Sequence, residues 1–379
     1  MKLLFIIDSL GIGGAEKSLL TLLTHLDGMG HDLYLWIQHR GGAFEAMLPR
    51  GVHVLEQKDL GKTSRVAGFV NRMAFSLLLR LMKKRHGAET KWKSRLMEAG
   101  ELPKDTFDVV VAYQQGIPTF LAAKYFTGAK KVAWVNADLA SVGYDSRFCR
   151  GKYDKIDEIV AVSDVLRDKI MADGFCGRAA NVHVVYDLIS PKVVNEWSHE
   201  KEIKKDVFTL VTVGRMAPPK GHLLALRAAV ILRQKGLNFR WIFVGDGPER
   251  EKIEQFVAEN GLEDYIELAG ATPNPYPYMR IADIYVQPSL SEGFGMSLAE
   301  AKMLCRPIVA TDFQTAALQI ENGKNGIICE KNAETLAEAI LRLHGDAAMR
   351  SRLSAYLSER VENNVAGQLA VVRRVLGIE

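Results

Sequence analysis

Between Ser289 and Lys302 the chain reads Ser-Leu-Ser-Glu292-Gly-Phe-Gly-Met-Ser-Leu-Ala-Glu300-Ala-Lys, following an apolar run and opening a stretch with helical spacing. Gly293 and Gly295 let the main chain approach a ligand closely, and a helix starting there offers unpaired N–H groups to a phosphate. Glu292 precedes that helix, and Glu300 falls about a turn and a half inside it. A carboxylate at either place can grip two vicinal hydroxyls, as on a sugar or a ribose. A lone helical Glu is ordinarily a solvated surface residue, but two of them flanking a glycine loop after a strand point to a ligand. A second glycine-rich turn, Asp8-Ser-Leu-Gly11-Ile-Gly13-Gly14-Ala-Glu16-Lys17, follows the first apolar run. A dinucleotide fingerprint needs G-x-G-x-x-G, and Glu16 stands where its last glycine belongs, so this turn supports NAD binding poorly. On its own it reads equally as a structural turn.

Both turns must be carried by strand ends. Short runs rich in Val, Ile and Phe recur, each followed by a turn signal and a helically spaced stretch, which is the pattern of βα units around a parallel sheet. Candidate strands are Leu3–Asp8, Leu33–Trp36, Val52–Leu55, Asp108–Ala112, Lys131–Val135, Glu158–Val162 and Val182–Val185, then Phe208–Val213, Trp241–Val244, Tyr265–Leu268, Ile284–Gln287 and Pro307–Ala310. Between Asp187 and Asp206 the alternation fails and no strand or sustained helix is expected. At 379 residues, two domains of roughly 180 residues each are the natural division. The expected boundaries are 1–190, a linker at 191–206, a second domain at 207–360, and a C-terminal helix over 361–379 packing back on the first. Two such sheets in series imply a central cleft, with ligands at the carboxyl ends of the strands.

Glu292 and Glu300 have seven residues between them, and the stretch through Cys305-Arg-Pro307-Ile-Val-Ala-Thr311 resembles the E-x7-E region of glycosyltransferase family 4, the retaining glycosyl transferases group 1. The resemblance extends to Val213-Gly214-Arg215-Met-Ala-Pro-Pro-Lys220-Gly221, to Val244-Gly245-Asp-Gly-Pro248-Glu, and to the run from Asn274 through Met279 to Asp283. It implies an α/β fold of GT-B type, two Rossmann-like doubly wound parallel-sheet domains facing a cleft. It also implies retaining transfer of a sugar from a nucleotide-diphosphate sugar, a UDP-sugar, to a hydroxyl of a glycan or lipid-linked glycan precursor. By resemblance, Arg215 and Lys220 hold the diphosphate, Glu292 holds the donor sugar with the amides of Phe294, Gly295 and Met296, and Glu300 holds the ribose. Gly214 and Gly245 shape the donor loops, while Gly13, Gly14 and Asn136 face the sugar from the first domain. The departing phosphate takes the acceptor's proton in that family, so no dedicated base is required.

The physical reading of Arg215 and Lys220 stands beside this. Cleaving a sugar–diphosphate bond develops negative charge, which two cations and a helix N-terminus can stabilise. No Asp-x-Asp occurs in the chain, so neither a metal nor another cofactor is expected. Lys131-Val-Ala-Trp134-Val-Asn136-Ala-Asp138 is similar to a family segment that often carries a His, here replaced by Asn136. An amide can hydrogen-bond a sugar but cannot act as acid or base near neutral pH. Asp138 is the fallback, and either residue also fits a simple turn cap. Rival readings are an isomerase or phosphorylase on the same scaffold, and a non-catalytic sugar-nucleotide binding protein.

Composition excludes other classes. Hydrophobic residues at 48% and charged residues at 25% describe a globular chain rather than a disordered one. The apolar opening Leu3–Ile7 is too short for a signal core or a spanning helix, and Cys149, Cys176, Cys305 and Cys329 lack zinc or disulfide spacing. A cytoplasmic protein is expected. Hydrolase motifs G-x-S-x-G and H-E-x-x-H are absent, and Gly61-Lys62-Thr63 has Glu56 in place of the leading glycine of a P-loop. Charge is uneven: residues 62–104 carry eleven Lys/Arg against three Glu, a surplus of eight where the whole chain has +4. Phe69, Val70, Met73, Phe75, Leu77, Leu78, Leu79, Leu81 and Met82 interleave with Arg72, Arg80, Lys83, Lys84 and Arg85, as in a basic helix lying on an anionic membrane surface. That reading places the protein at the inner face of the plasma membrane, against the alternative of a solvated basic face, and no nucleic-acid motif accompanies the charge.

Overall fold

The structure is a computed structural model that describes residues 1–55, 105–140, 144, 146–176, 181–360 and 365–378. The basic segment 62–104 lies outside these residues. The chain divides into two compact units, Met1–Leu188 with Gly367–Glu379, and Ile189–Ala366.

The first unit is built on a parallel sheet of β1 (Lys2–Ser9), β2 (Asp32–His39), β3 (Val52–Val54), β4 (Val109–Ala112), β5 (Lys130–Val135), β6 (Glu158–Ala161) and β7 (Asn181–Val184), in the order β3-β2-β1-β4-β5-β6-β7. Leu3 through Ile7 and Val109 through Ala112 are all fully buried. Central strands covered on both faces have no reason to alternate, which is why both segments read as unbroken apolar runs. The helix Gly14–Leu26 covers one face with Leu19, Leu22, Leu23 and Leu26. The C-terminal helix Val365–Leu376 belongs to this unit from Gly367 onward, and Gln368 Oε1 accepts the Tyr186 N–H at 2.9 Å.

The second unit repeats the plan with β8 (Phe208–Val213), β9 (Phe239–Val244), β10 (Ile266–Gly270), β11 (Ile284–Gln287), β12 (Ile308–Thr311) and β13 (Gly326–Cys329), all parallel, in the order β10-β9-β8-β11-β12-β13. Successive residues point to opposite cores, as period 2 demands. Leu210, Trp241, Phe243, Ile284 and Val309 pack under the helices His222–Gln234 and Ala333–Gly345. Val211, Ile242, Val244, Tyr285 and Ile308 pack under Tyr276–Ile281 and Met296–Met303. β13 is absent from the expected strands because it offers only the pair Ile327-Ile328 as an apolar signal, and its register against β12 creates it. Residues 191–206, expected to lack a helix, contain Pro191–Trp197. Ser190 caps its start through Val193 N–H, Pro191 fills its first turn, and Val194 enters the core of the second unit.

In each sheet the strand order reverses once, between β1 and β4 and between β8 and β11. The loops leaving the carboxyl ends of those four strands flank the point where doubly wound sheets bind ligands. The β1 turn carries Gly13 and Gly14, the β8 turn carries Arg215 and Lys220, and the β11 turn carries Glu292 and Gly295.

His222 opens the helix after the β8 turn. It is fully buried, its ring lies edge-on to Phe243, and neither ring nitrogen has a hydrogen-bond partner among the described residues. Burial, and then the nearby Lys220 charge, lower its pKa from 6.5 to about 4. The unfolded chain therefore takes up a proton that the native state refuses, so stability falls as pH drops from about 6.5 toward 4, by about 1.4 kcal/mol per pH unit once the unfolded His is charged. Urea unfolding of wild type and His222→Phe at pH 7 and pH 5 checks this. The variant should lose less stability on acidification, and equal losses would refute it.

Candidate functional site

The second unit brings the β8 and β11 turns into direct contact. Gly221 has φ 69°, and a Cβ there would lie 1.9 Å from the Pro288 carbonyl oxygen, so only glycine lets the two turns close up. The Leu290 N–H donates to the Pro219 carbonyl at 2.7 Å, fastening one turn to the other. Lys220 Nζ consequently meets both Glu292 carboxylate oxygens at 2.7 Å. The Glu292 side chain is only 7% exposed and that of Lys220 29%. Burying a carboxylate to that degree is costly unless it is paired and hydrogen-bonded. Two further donors complete the set: Ser289 Oγ at 2.7 Å and Gln287 Nε2 at 2.9 Å, both on Oε1.

Arg215 stands apart from this pair. The β8 and β9 turns are zipped by Met216 N–H to Asp246 O and Glu249 N–H to Met216 O, each 2.9 Å. A Cβ on Gly245 would fall 2.0 Å from the Gly214 carbonyl oxygen, so glycine is needed for that closure too. The Arg215 side chain is left exposed, with no hydrogen bond or ion pair to any described residue, while its carbonyl accepts the Ala217 N–H at 2.8 Å. It is a cation available to a ligand.

Glu300 behaves differently from a surface glutamate. It is 2% exposed, on the inner side of the helix Met296–Met303, and accepts the Tyr276 hydroxyl at 2.9 Å. Burial first, and the adjacent Glu300 carboxylate second, hold the Tyr276 phenol well above its ordinary range, so it remains a donor. Gly295 caps the same helix in the left-handed region. The carbonyl of Phe294 is held by Gln319 Nε2 and Thr315 Oγ1, which anchors the segment Phe294–Met296 at the helix start. The first amides of such a helix have no intrahelical acceptor and are suited to an anion.

In the first unit Gly13 is the N-cap of Gly14–Leu26, with Glu16 in the first turn. Gln114, in the turn after β4, accepts the Asp8 N–H at 3.2 Å and donates to Glu16 Oε1 at 3.1 Å, so it ties the β1 turn to the β4 turn. Asn136, after β5, is fixed twice: its N–H donates to Gln115 Oε1 at 2.9 Å and its Nδ2 to the Tyr113 carbonyl at 2.8 Å. Its amide oxygen has no partner among the described residues. Asp138 accepts the Ala140 N–H at 3.1 Å and lies 3.8 Å from Lys169 Nζ, which makes it a turn residue. Residues not singled out from sequence are Gln287, Ser289, Tyr276, Gln114 and Gln115. Gln287 carried a usable signal, as a polar residue ending the otherwise apolar run Ile-Tyr-Val-Gln.

The two cations should separate in their effect on stability. Lys220→Ala strands a nearly buried carboxylate and should cost roughly 2 kcal/mol, the low side for breaking a buried pair because Lys220 keeps some solvent. Arg215→Ala removes an exposed, unpaired side chain and should stay within about 0.5 kcal/mol of wild type. Denaturant midpoints of the two variants decide, and equal midpoints would contradict the pairing described.

Residues 193–360 match the family described as Glycosyl transferases group 1. The chain is 30% identical over 174 residues to alpha-D-kanosaminyltransferase of Streptomyces kanamyceticus, covering 44% of this chain and 45% of that protein. It is 32% identical over 155 residues to the lipopolysaccharide core biosynthesis glycosyltransferase LpsD of Rhizobium meliloti, covering 41% and 44%. Each match thus spans less than half of the relative's length. The crystal structure of Anabaena HepE in complex with UDP-glucose superposes with TM-score 0.72 at 19% identity, over 100% of this chain and 99% of that one. Residues 193–360 are therefore a glycosyl transferases group 1 domain, and the two-sheet chain that contains them has the GT-B fold.

Proposed function

We propose that this protein is a retaining glycosyltransferase that moves a hexosyl or N-acetylhexosaminyl group from a UDP-sugar to a hydroxyl of a glycan or lipid-linked glycan precursor, in polysaccharide biosynthesis. The observation that carries the reading is the β8–β11 turn pair of the group 1 domain. An unpaired Arg215, a Lys220 oriented by Glu292 and a glycine-capped helix start all leave the same end of the sheet. These are the groups that a leaving diphosphate requires, because they stabilise charge that develops only as the bond breaks. An ammonium has three N–H donors. With contacts to both oxygens of Glu292, one remains for a phosphate oxygen. The HepE complex with UDP-glucose, on the same fold, supports the choice of a uridine donor. LpsD, named for lipopolysaccharide core biosynthesis, supports a glycan acceptor.

In this reading Arg215 and Lys220 neutralise the diphosphate without a metal, Glu292 contacts the donor sugar, and Glu300 contacts the ribose. Asn136 offers an amide oxygen fixed by its bond to Tyr113, which suits a sugar hydroxyl rather than a proton-transfer role. Retention of configuration rests on the family resemblance. A screen of nucleotide sugars for protection against thermal unfolding tests the donor, since a ligand at 100 times its Kd adds about 2.7 kcal/mol. Lys220→Ala should lower turnover by about 10²–10³-fold, and Glu300→Ala should chiefly weaken donor binding. Full activity of Lys220→Ala would remove the basis of the assignment.

The acceptor side of the proposal includes an anionic membrane surface contacted by residues 62–104. Among the described residues no helix is long and apolar enough to cross a membrane. Each Lys or Arg near an anionic leaflet contributes about 1 kcal/mol, so replacing Lys83, Lys84 and Arg85 together should release the protein from phosphatidylserine vesicles. Sedimentation with the vesicles unchanged by that triple replacement would end the membrane assignment.

A further inference from the structure

The Lys220–Glu292 pair is held from beneath by a chain of buried polar groups in β11 and the turn after it. Tyr285 Oη donates to Gln287 Oε1 at 2.7 Å, and Ser297 Oγ donates to the same oxygen at 3.2 Å. Gln287 Nε2 donates to Ser289 Oγ at 2.8 Å and to Glu292 Oε1 at 2.9 Å. Ser289 Oγ donates in turn to Glu292 Oε1 at 2.7 Å. Tyr285, Gln287 and Ser289 are at most 1% exposed. Burial keeps the Tyr285 hydroxyl protonated, far above its ordinary pKa, so it stays a donor.

The direction of this chain follows from its ends. Were the Gln287 amide reversed, its oxygen would face the Glu292 carboxylate, acceptor against acceptor, at a side chain that is 1% exposed. The carboxylate, which can only accept, therefore admits one orientation, and the two hydroxyls donate to the amide oxygen that this leaves facing them. Gln287 makes no hydrogen bond to Lys220, yet it donates to an oxygen on which Lys220 rests.

We propose that Gln287 is a positioning residue of the donor site: through its amide it sets the Glu292 carboxylate, and through Glu292 it aims the Lys220 ammonium at the donor diphosphate. This deepens the proposed function and rests on it for the identity of the anion. The discriminating variant is Gln287→Glu, which keeps shape and volume but places a second carboxylate beside Glu292. Like charges at this distance disfavour double ionisation, so one of the two must take up a proton or repel the other. Its folded pKa is then raised above the unfolded value, and the resulting loss of stability is full at high pH and shrinks as pH falls.

Two readouts, both on the full chain, test this. In the first, without ligand, thermal midpoints are taken at pH 8 and pH 5.5 for wild type, Gln287→Glu, Glu292→Gln and the double exchange Gln287→Glu/Glu292→Gln. The single Gln287→Glu variant should be depressed more at pH 8 than at pH 5.5, and the double exchange should recover most of that depression. A depression equal at both pH values and unrelieved by Glu292→Gln would overturn the coupling. In the second, UDP is titrated calorimetrically. Gln287→Glu should weaken UDP by about tenfold or more at pH 8, the equivalent of at least one pKa unit of altered charge interaction, and by less at pH 5.5. Unchanged UDP affinity at pH 8 would overturn the positioning role. A wild type that binds no UDP would instead sink the donor assignment, while the ligand-free readout would still decide whether Gln287 governs Glu292.

Discussion

A carboxylate that is 7% exposed has to be compensated, and the arrangement of the second unit follows from that requirement. Desolvation penalises Glu292 unless a cation and several donors reach it. The parallel sheet supplies them from one end: Lys220 from the turn after β8, Gln287 from the last position of β11, and Ser289 from the turn beyond. Those strands are neighbours because the order reverses between β8 and β11, so the two turns leave side by side. Gly221 then permits the close approach that any Cβ would block. Sheet topology, one glycine and one charge pair thus act as a single constraint, and none of them positions the ammonium without the other two.

That constraint also explains which parts of the molecule were legible in the sequence. Strands buried on both faces announce themselves as apolar runs, and β1, β4, β8 and β11 appear in the sequence within a residue or two of their structural limits. β13 does not, because two isoleucines are too little signal and its strand character comes from pairing with β12. The helix Pro191–Trp197 is hidden for a related reason: its seven residues derive their order from a Ser190 cap and from packing of Val194, not from a long apolar stripe. Glu292 and Glu300 were visible through their spacing around a glycine loop, and Lys220 through the family resemblance of its own loop. Their mutual relations were not, since hydrophobic periodicity reports which face is buried and says nothing about which polar groups meet across tens of residues. The Lys220–Glu292 bond and the Tyr276–Glu300 bond belong to that class.

The first unit solves a similar problem with neutral groups. Its β1, β4 and β5 turns are tied by amides: Gln114 bridges Asp8 and Glu16, and Gln115 and Tyr113 fix Asn136. A histidine in place of Asn136 would carry a titratable ring into this setting, whereas the amide keeps one polarity at every pH. Committing Nδ2 to the Tyr113 carbonyl leaves the buried amide oxygen without a partner among the described residues. A side chain so fixed can select a hydrogen-bond donor on a ligand, but it has no proton to give or take.

In the proposed function, Arg215 and Lys220 divide a task that one residue could not perform alone. A cation bound to its own carboxylate is held in place at the cost of part of its charge. A cation with no partner keeps its charge at the cost of order. Lys220 is the first kind, fixed by both oxygens of Glu292, and Arg215 is the second, exposed and unpaired among the described residues. Adding a third charge nearby would raise the self-repulsion of the unliganded site, and the fold avoids it by keeping His222 neutral, with its pKa lowered to about 4 by burial and by Lys220. An incoming diphosphate would then meet one cation already oriented and one free to adjust. Preorganisation would supply the geometry, and the unpaired guanidinium would supply charge that no intramolecular contact has already compensated.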